Sequence, residues 1–140
     1  MSAHENKRLL ERAYAGAAAG DPQLLFEMLA DDVVWTVMGT ATWSGTFRGK
    51  AELMERLLKP LGEVLDGPLA VTAERMIAEG ELVAVQASIH NRTKAGEPYP
   101  NHYFNLFRFE AGTIVEVSEY ADTQLMNAVL GIYPGSEAAQ

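Results

Sequence analysis

Four stretches of alternating apolar and polar residues fill the second half of the sequence, and no other feature constrains the fold as strongly. They cover residues 69–79, 82–93, 99–110 and 113–121, with Gly-containing turns between them. A period of two places the apolar side chains of each stretch on one face of a β-strand. Consecutive strands joined by short turns form antiparallel hairpins. The second half therefore predicts a four-stranded antiparallel sheet with one face to be covered.

The first half predicts the helices that cover this sheet. Apolar residues recur every three to four positions over residues 5–19, and Gly20 follows as a helix stop. Asp21 and Pro22 predict the start of a short second helix, and residues 50–61 predict a third. Helices followed by an antiparallel sheet are the arrangement of α+β domains.

A β-branched and aromatic segment, residues 33–38, predicts one further strand in the first half. The Gly- and Thr-rich residues 39–49 that follow form a loop that is long for a compact domain, and such loops often carry function. Trp43 lies in this loop, where it could cover a pocket. A final helix is expected over residues 123–130, and residues 131–140 are expected to be a frayed tail.

Length and composition limit the classes of function. A chain of 140 residues without a repeat or linker predicts a single domain over residues 1–140, with its core within residues 7–130. A net charge of −8 with scattered Lys and Arg weighs against nucleic acid and anionic membranes. The chain has no cysteine, no apolar run near the ~18 residues of a membrane span, and no signal-peptide core at its start. We expect a cytoplasmic protein.

The order of the predicted elements and several short phrases resemble the nuclear transport factor 2-like superfamily, in particular its SnoaL-like and ketosteroid isomerase-like members. The resemblance implies a cone-shaped, cystatin-like α+β roll, in which the N-terminal helices pack in a curved mixed or antiparallel sheet around one pocket. It also implies a homodimer formed through the outer face of the sheet. The phrases are AGD at residues 19–21, LADDVVW at 29–35, GTFRGKAEL at 45–53 and NHYFNLFRFEAGTIVEVSEYADT at 101–123.

Side-chain alternation selects the candidate pocket face of the last two strands. A three-residue turn over residues 110–112 would pair Tyr103 with Glu119. A slip of one residue would turn every side chain to the other face. The opposite face carries His90 and His102, which we interpret as surface or dimer-interface residues. The expected pocket face carries Asn101, Tyr103, Asn105, Phe107 and Phe109 on one strand and Val115, Val117 and Glu119 on the next.

Glu119, Asn105 and Tyr103 are the candidate catalytic residues. A carboxyl group in apolar surroundings has a raised pKa, so Glu119 could act as general acid or base. The resemblance places Asn105 where steroid isomerases carry a protonated acid that donates to the substrate oxyanion, and an amide NH₂ can also donate there. The alternative for Glu119 is a carboxylate at the pocket rim, hydrogen-bonded to Tyr103 or solvated.

The usual steroid isomerase mechanism is not expected. The resemblance places that mechanism's general-base Asp near Val37, where this sequence has no carboxylate. It places the oxyanion-hole Tyr near Ala13, and Tyr14 is displaced from there by about 100° around the helix. An Asp–Arg–Asp set for epoxide hydrolysis cannot be assigned to an inward face either.

The remaining pocket face is mostly apolar with a few polar groups, which is typical of small-molecule sites. Core packing and loop anchoring are the alternatives for the two Trp residues. No His, Asp or Glu spacing suggests a metal site, so neither a metal nor a cofactor is expected. The candidate ligand-binding residues are Tyr14, Trp35, Val37, Trp43, Asn101, Phe107 and Val117.

Two kinds of function remain open. The first is a SnoaL-like protein that binds an apolar, oxygen-bearing metabolite, either as a cofactor-free acid–base enzyme of the isomerase, cyclase or dehydratase type or as a binder without turnover. The second is a non-catalytic protein-interaction module of the same fold. A ligand site requires a cavity of ~300 Å³ or more, and the small side chains of Val37, Val85 and Ala87 on inward positions favour one.

Overall fold

The computed structural model describes residues 2–135. Five α-helices and six β-strands follow one another along these residues, and a π-helical segment, Met54–Leu58, joins the third and fourth helices. The elements are α1 Ala3–Ala18, α2 Gln23–Glu27, β1 Leu29–Val37, β2 Gly45–Arg48, α3 Lys50–Leu53, α4 Lys59–Val64, β3 Val71–Glu79, β4 Leu82–Ile89, β5 His102–Glu110, β6 Thr113–Ala121 and α5 Thr123–Leu130.

The six strands form one open, mixed sheet. Their order is β2-β1-β6-β5-β4-β3, so β2 and β3 are its edges. β1 runs parallel to β6, whereas every other pair of neighbours is antiparallel. Helix α1 packs against β3 and β4. The predicted α+β class and the four-stranded antiparallel unit are confirmed, and none of the helices within residues 2–135 has both the length and the apolarity needed to cross a membrane.

Helix α1 begins with a capping box and buries one apolar stripe. The Ser2 hydroxyl accepts from the Glu5 N–H at 3.1 Å, and the Ser2 N–H donates to the Glu5 carboxylate at 3.2 Å. These bonds satisfy backbone groups that a helix start otherwise leaves unpaired. Gly20 ends the helix with a φ of 86°, as predicted. The buried stripe consists of Asn6, Leu10, Ala13, Tyr14 and Ala17.

The predicted long loop over residues 39–49 is in part a strand. β2 pairs with β1 and extends the sheet at its edge, where the Thr36 and Thr46 hydroxyls lie 3.2 Å apart. The prediction of an uninterrupted loop was wrong because a four-residue strand rich in Gly and Thr carries almost no alternation signal. It forms because β1 supplies the hydrogen-bonding edge.

Three of the predicted strands are shorter at the end where β3, β4 and β5 meet an irregular connection. Asn91 organises this connection: its amide donates to the carbonyls of Asp66 and Pro68, both at 3.0 Å, and its Oδ1 accepts from the Ala70 N–H at 2.8 Å. Side-chain bonds replace ladder bonds here, so strand pairing ends earlier than the residue pattern suggests.

The turn between β5 and β6 differs from the predicted one. It has two central residues, Ala111 and Gly112, with φ values of 50° and 80°, as type I′ hairpin turns require. Glu110 therefore pairs with Thr113. The prediction of a three-residue turn was wrong, because Ala at a left-handed position gives no turn signal.

A β-bulge then restores the predicted face of β6. Val115 is the extra residue between the pairs Phe109–Ile114 and Arg108–Glu116. Beyond the bulge, Phe107 pairs with Val117 and Asn105 with Glu119. The predicted pairing of Tyr103 with Glu119 was therefore wrong, since Tyr103 pairs with Ala121. Val115 does not continue the inward face, and Ile114 is buried instead.

Candidate functional site

Glu119 lies on β6 between β5 and β1. Its ladder partners are Asn105 on β5 and Val37 on β1. The Trp35 indole Nε1–H, two residues before Val37 on β1, donates to Glu119 Oε1 at 3.1 Å. The carboxyl group is partly buried. A carboxylate is thus held on the inward face of the sheet by a side chain from a parallel neighbouring strand.

Burial raises the pKa of Glu119 from an ordinary 4.5 to about 7, and the hydrogen bond from Trp35 opposes this rise. Desolvation disfavours the charged form, whereas a donor on the carboxylate favours it. At neutral pH both protonation states are therefore populated. This is the property that general acid–base chemistry at pH 7 requires of a carboxyl group.

Asn105 supplies a polar atom without a partner. The residue is 7% exposed and lies between Val85 on β4 and Glu119 on β6. Its Oδ1 is buried and has no hydrogen-bond partner within the described part of the chain. Burying an acceptor without a donor costs about 1–3 kcal/mol, so such atoms are uncommon and call for an explanation.

Tyr14 reaches the same place from α1. Its ring meets Phe107 edge to face, with centroids 6.2 Å apart and an interplanar angle of 88°. Burial raises the pKa of the Tyr14 hydroxyl, the neighbouring Asn105 side chain lowers it, and the negative charge of Glu119 raises it further. Tyr14 therefore stays protonated at neutral pH, and it forms one polar cluster with Asn105 and Glu119.

Tyr103 lies at the edge of this cluster and is bonded to a different residue. Its hydroxyl is 3.0 Å from that of Tyr99. Burial, the charge of Glu119 and the neighbouring Tyr99 together raise the pKa of Tyr103 well above 10.0. Its electrostatic coupling to Glu119 places it near the carboxylate, while its hydroxyl bonds to Tyr99 rather than to Glu119.

Asn101 is fully engaged inside the protein. Its Nδ2 donates to the Tyr99 hydroxyl at 2.8 Å and to the Asp122 carbonyl at 3.2 Å. Its Oδ1 accepts from the N–H groups of His102 at 2.8 Å and Asp122 at 3.1 Å. An Asn side chain has two donors and an oxygen with two lone pairs, so no hydrogen-bonding group is left for a ligand. Asn101 connects the start of β5 to α5, whose N-cap is Asp122.

Apolar side chains form the rest of the inward face around Glu119. Trp35 packs edge to face on Phe107, with centroids 6.3 Å apart. Val37, Phe107 and Val117 are buried. Sequence reasoning placed all four residues at the site but missed the polar role of Trp35, because the parallel pairing of β1 with β6 leaves no local signal.

Trp43 makes its hydrogen bond outside the cluster of Glu119, Asn105 and Tyr14. It is buried, its Nε1–H donates to the Gly131 carbonyl at 2.8 Å, and its ring meets Tyr133 with centroids 5.1 Å apart. Tyr133 in turn donates through its hydroxyl to the Arg56 carbonyl at 2.6 Å. Trp43 is therefore an anchor for the chain after α5, as its alternative interpretation held.

The prediction of a frayed tail was wrong for its first residues. Gly131 and Tyr133 are held by Trp43 and Thr42, and residues 136–140 of the predicted tail lie outside the described residues. The clefts on the described surface include an open one of about 420 Å³ between α1 and β3, with Tyr14 in its wall. Within residues 2–135, no three His, Asp or Glu side chains are grouped so that they could hold a metal ion.

Comparison with known proteins gives this fold a family. The model of the SnoaL-like domain matches residues 10–117, which is more than half of the chain, so the chain belongs to the SnoaL-like domain family of the nuclear transport factor 2-like superfamily. The predicted cystatin-like class is confirmed. No curated protein is similar to the chain at a significant level.

Solved structures with the same fold come from several bacteria. A nuclear transport factor 2-like protein of unknown function from Burkholderia pseudomallei is 21% identical, with a TM-score of 0.77 over 93% of this chain and 98% of its own. A protein of unknown function with a cystatin-like fold from Xanthomonas campestris is 27% identical, with a TM-score of 0.75 over 94% and 99%. A candidate isomerase from Bacillus subtilis is 18% identical, with a TM-score of 0.75 over 94% and 96%.

Proposed function

We propose that this protein binds an apolar, oxygen-bearing small molecule beside Glu119 and catalyses a cofactor-free proton transfer on it, of the isomerase, cyclase or dehydratase type. The observation that carries the proposal is the position of Glu119. This carboxyl group is partly buried on the inward face of the sheet, bonded to Trp35 and opposite Asn105. The pKa of about 7 that burial produces lets it both accept and return a proton at neutral pH.

The residues around Glu119 would position its carboxylate, stabilise negative charge on the substrate and exclude water. Trp35 holds one carboxylate oxygen and leaves the other for the substrate proton. Tyr14, neutral at pH 7, is a donor for negative charge that develops on a substrate oxygen. Asn105 and Tyr103 add polar groups to the same face, and Phe107, Val37 and Val117 exclude water from it. Water exclusion strengthens each of these electrostatic interactions.

A carbon acid with a neighbouring hydroxyl tests the catalytic part directly. The probe is 2-hydroxy-1-tetralone in D₂O, with exchange of its C2 proton followed by NMR. We expect the wild type to accelerate exchange and Glu119→Gln to lose about 10²-fold or more of that acceleration. The matched control is Glu116→Gln, which changes an exposed carboxylate on the same strand and should exchange like the wild type. Equal rates for all three proteins would overturn the catalytic proposal.

A binding screen separates the enzyme from the alternative, a non-catalytic ligand-binding or interaction module. Ligands that bind the folded state raise the apparent stability by about 2.7 kcal/mol at a hundred times their dissociation constant. Binding of apolar ketones, lactones or phenols without catalysis of proton exchange would mean that the protein is a non-catalytic ligand-binding module. No thermal shift across the whole panel would reject the small-molecule function and favour a protein partner.

We also propose that the protein forms a homodimer through the outer face of the sheet. Phe104 on β5 and Tyr120 on β6 form a cross-strand pair there and are 48% and 46% exposed. Ile77 on β3 is 61% exposed on the same face. Exposed apolar groups of this size on one sheet face are typical of interfaces between subunits, and a second copy presents the same apolar side chains.

A further inference from the structure

We infer that the molecule bound beside Glu119 presents a hydroxyl group that donates a hydrogen bond to Asn105 Oδ1, which makes phenols, enols and alcohols the substrate class. This inference rests on the proposed function and narrows it. It excludes molecules whose only oxygen is a carbonyl or an ether, because those molecules offer no donor.

The Asn105 side-chain oxygen is a buried acceptor without a donor in the described part of the chain. The residue is more than nine-tenths buried, and its Oδ1 has no donor among residues 2–135. A leucine of similar size would pack at this position without leaving a polar atom unpaired. The sequence nevertheless has Asn on a central strand, where Asn is disfavoured.

The polar neighbours of Asn105 have other partners. The Trp35 indole donates to Glu119, and the Tyr103 hydroxyl is bonded to that of Tyr99. The Asn105 side chain lowers the pKa of the nearby Tyr14 hydroxyl. Asn105 Oδ1 itself is left without a donor among residues 2–135.

The position of the orphan oxygen selects a hydroxyl group in particular. Asn105 and Glu119 are directly paired across β5 and β6, so their Cβ atoms are about 5 Å apart on one face. When Glu119 is protonated, a hydroxyl group between the two side chains donates to Asn105 Oδ1 and accepts from the Glu119 carboxyl group. When Glu119 is ionised, the hydroxyl group shifts its proton towards the carboxylate. A ketone or ether oxygen at the same place would face the amide oxygen with lone pairs on both sides.

Three probes of one shape test this selectivity: 2-naphthol as donor, 2-methoxynaphthalene as its ether and 2-tetralone as a ketone. Their binding is measured by titration calorimetry and by quenching of tryptophan fluorescence. We expect the wild type to bind 2-naphthol at least about tenfold more tightly than the other two, because a site built for a hydroxyl rejects analogues without it.

Two variants assign the selectivity to the correct oxygen. Asn105→Leu should bind the three probes within about twofold of one another, and its melting temperature without ligand should equal or exceed that of the wild type. Asn6→Leu is the matched control, because Asn6 Oδ1 is also buried without a partner but lies on α1. This variant should keep the preference for 2-naphthol.

Each outcome decides one of the two proposals. Equal binding of 2-naphthol and its ether by the wild type, or a preference for 2-tetralone, would overturn the hydroxyl inference and leave the small-molecule site intact. A preference that survives in Asn105→Leu would also overturn it. Binding of none of the three probes would overturn the inference together with the proposed function.

Discussion

Trp35 and Glu119, which are 84 positions apart in the sequence, are joined by a hydrogen bond of 3.1 Å from the indole Nε1 to the carboxylate Oε1. The bond crosses the parallel pair of strands, β1 with β6. It counteracts the burial that raises the pKa of Glu119. The balance between these two effects sets the protonation of the candidate catalytic group.

Replacing the donor should therefore raise the pKa of Glu119 further. Trp35→Phe removes the indole N–H and keeps an aromatic ring against Phe107. We expect the Glu119 pKa, followed by the carboxyl ¹³C shift during a pH titration, to rise above its wild-type value of about 7, because the ionised form loses a hydrogen bond. Tyr120→Phe changes an exposed ring on the outer face and should leave the value unchanged. A lower pKa in Trp35→Phe would contradict this account of the site.

The stability of the protein should fall as the pH rises from about 4.5 to about 7. The folded state raises the Glu119 pKa from 4.5 to about 7, so between these values the native state binds the proton and the unfolded state does not. The contribution of Glu119 to the free energy of unfolding is fully present below pH 4.5 and is lost as the pH rises through 7. Its size is at most about 3 kcal/mol, reduced by the partial exposure of the carboxyl group.

Glu119→Gln isolates this contribution from the other titrating groups. Urea unfolding is measured at pH 5, 6, 7 and 8 for the wild type, for Glu119→Gln and for Glu116→Gln. The free energy of unfolding of Glu119→Gln relative to the wild type should increase with pH, since the amide never ionises. A constant difference over this range would show that Glu119 has an ordinary pKa in the folded protein.

Asn101→Ala should destabilise the fold by about 2–4 kcal/mol. Four hydrogen bonds are lost, and the N–H and the carbonyl of Asp122 lose partners. Thermal and urea unfolding give the change in the free energy of unfolding. Asn127→Ala, which loses bonds to Thr42 near the surface, should cost about 1 kcal/mol. A cost below that of Asn127→Ala would mean that Asn101 does not connect β5 to α5.

Phe104→Asp should convert the proposed dimer to a monomer. Light scattering of the wild type at micromolar concentration should give about twice the chain mass of 15.3 kDa, whereas the variant places a charge at the centre of the outer face. Leu24→Asp is the control, because Leu24 is similarly exposed at 42% but lies on α2. A monomeric wild type would reject the interface, and a dimeric Phe104→Asp would place it elsewhere.

Much of the site could be predicted from the sequence because it depends on alternation along single strands. The period of two placed Asn105 with Phe107 on one face and Val117 with Glu119 on one face. The turn and the bulge were both missed, and their effects add: the two-residue turn shifts the pairing by one residue, and the extra residue Val115 shifts it by one more. A shift of two residues changes the partner of each residue but returns its side chain to the same face. Glu119 therefore faces inward for a reason other than the predicted one.

The sequence by itself determined the elements whose signals are local: the Gly-terminated α1, the strand β6 and the helix α5. Only the tertiary structure decided that β2 forms at the sheet edge, that β1 lies parallel to β6, and that Trp35 reaches Glu119. The total burial and hydrogen bonding of the whole sheet determine which distant segments pair as strands. Burial also sets the pKa of Glu119 and leaves Asn105 Oδ1 unpaired, and neither property exists before the strands come together.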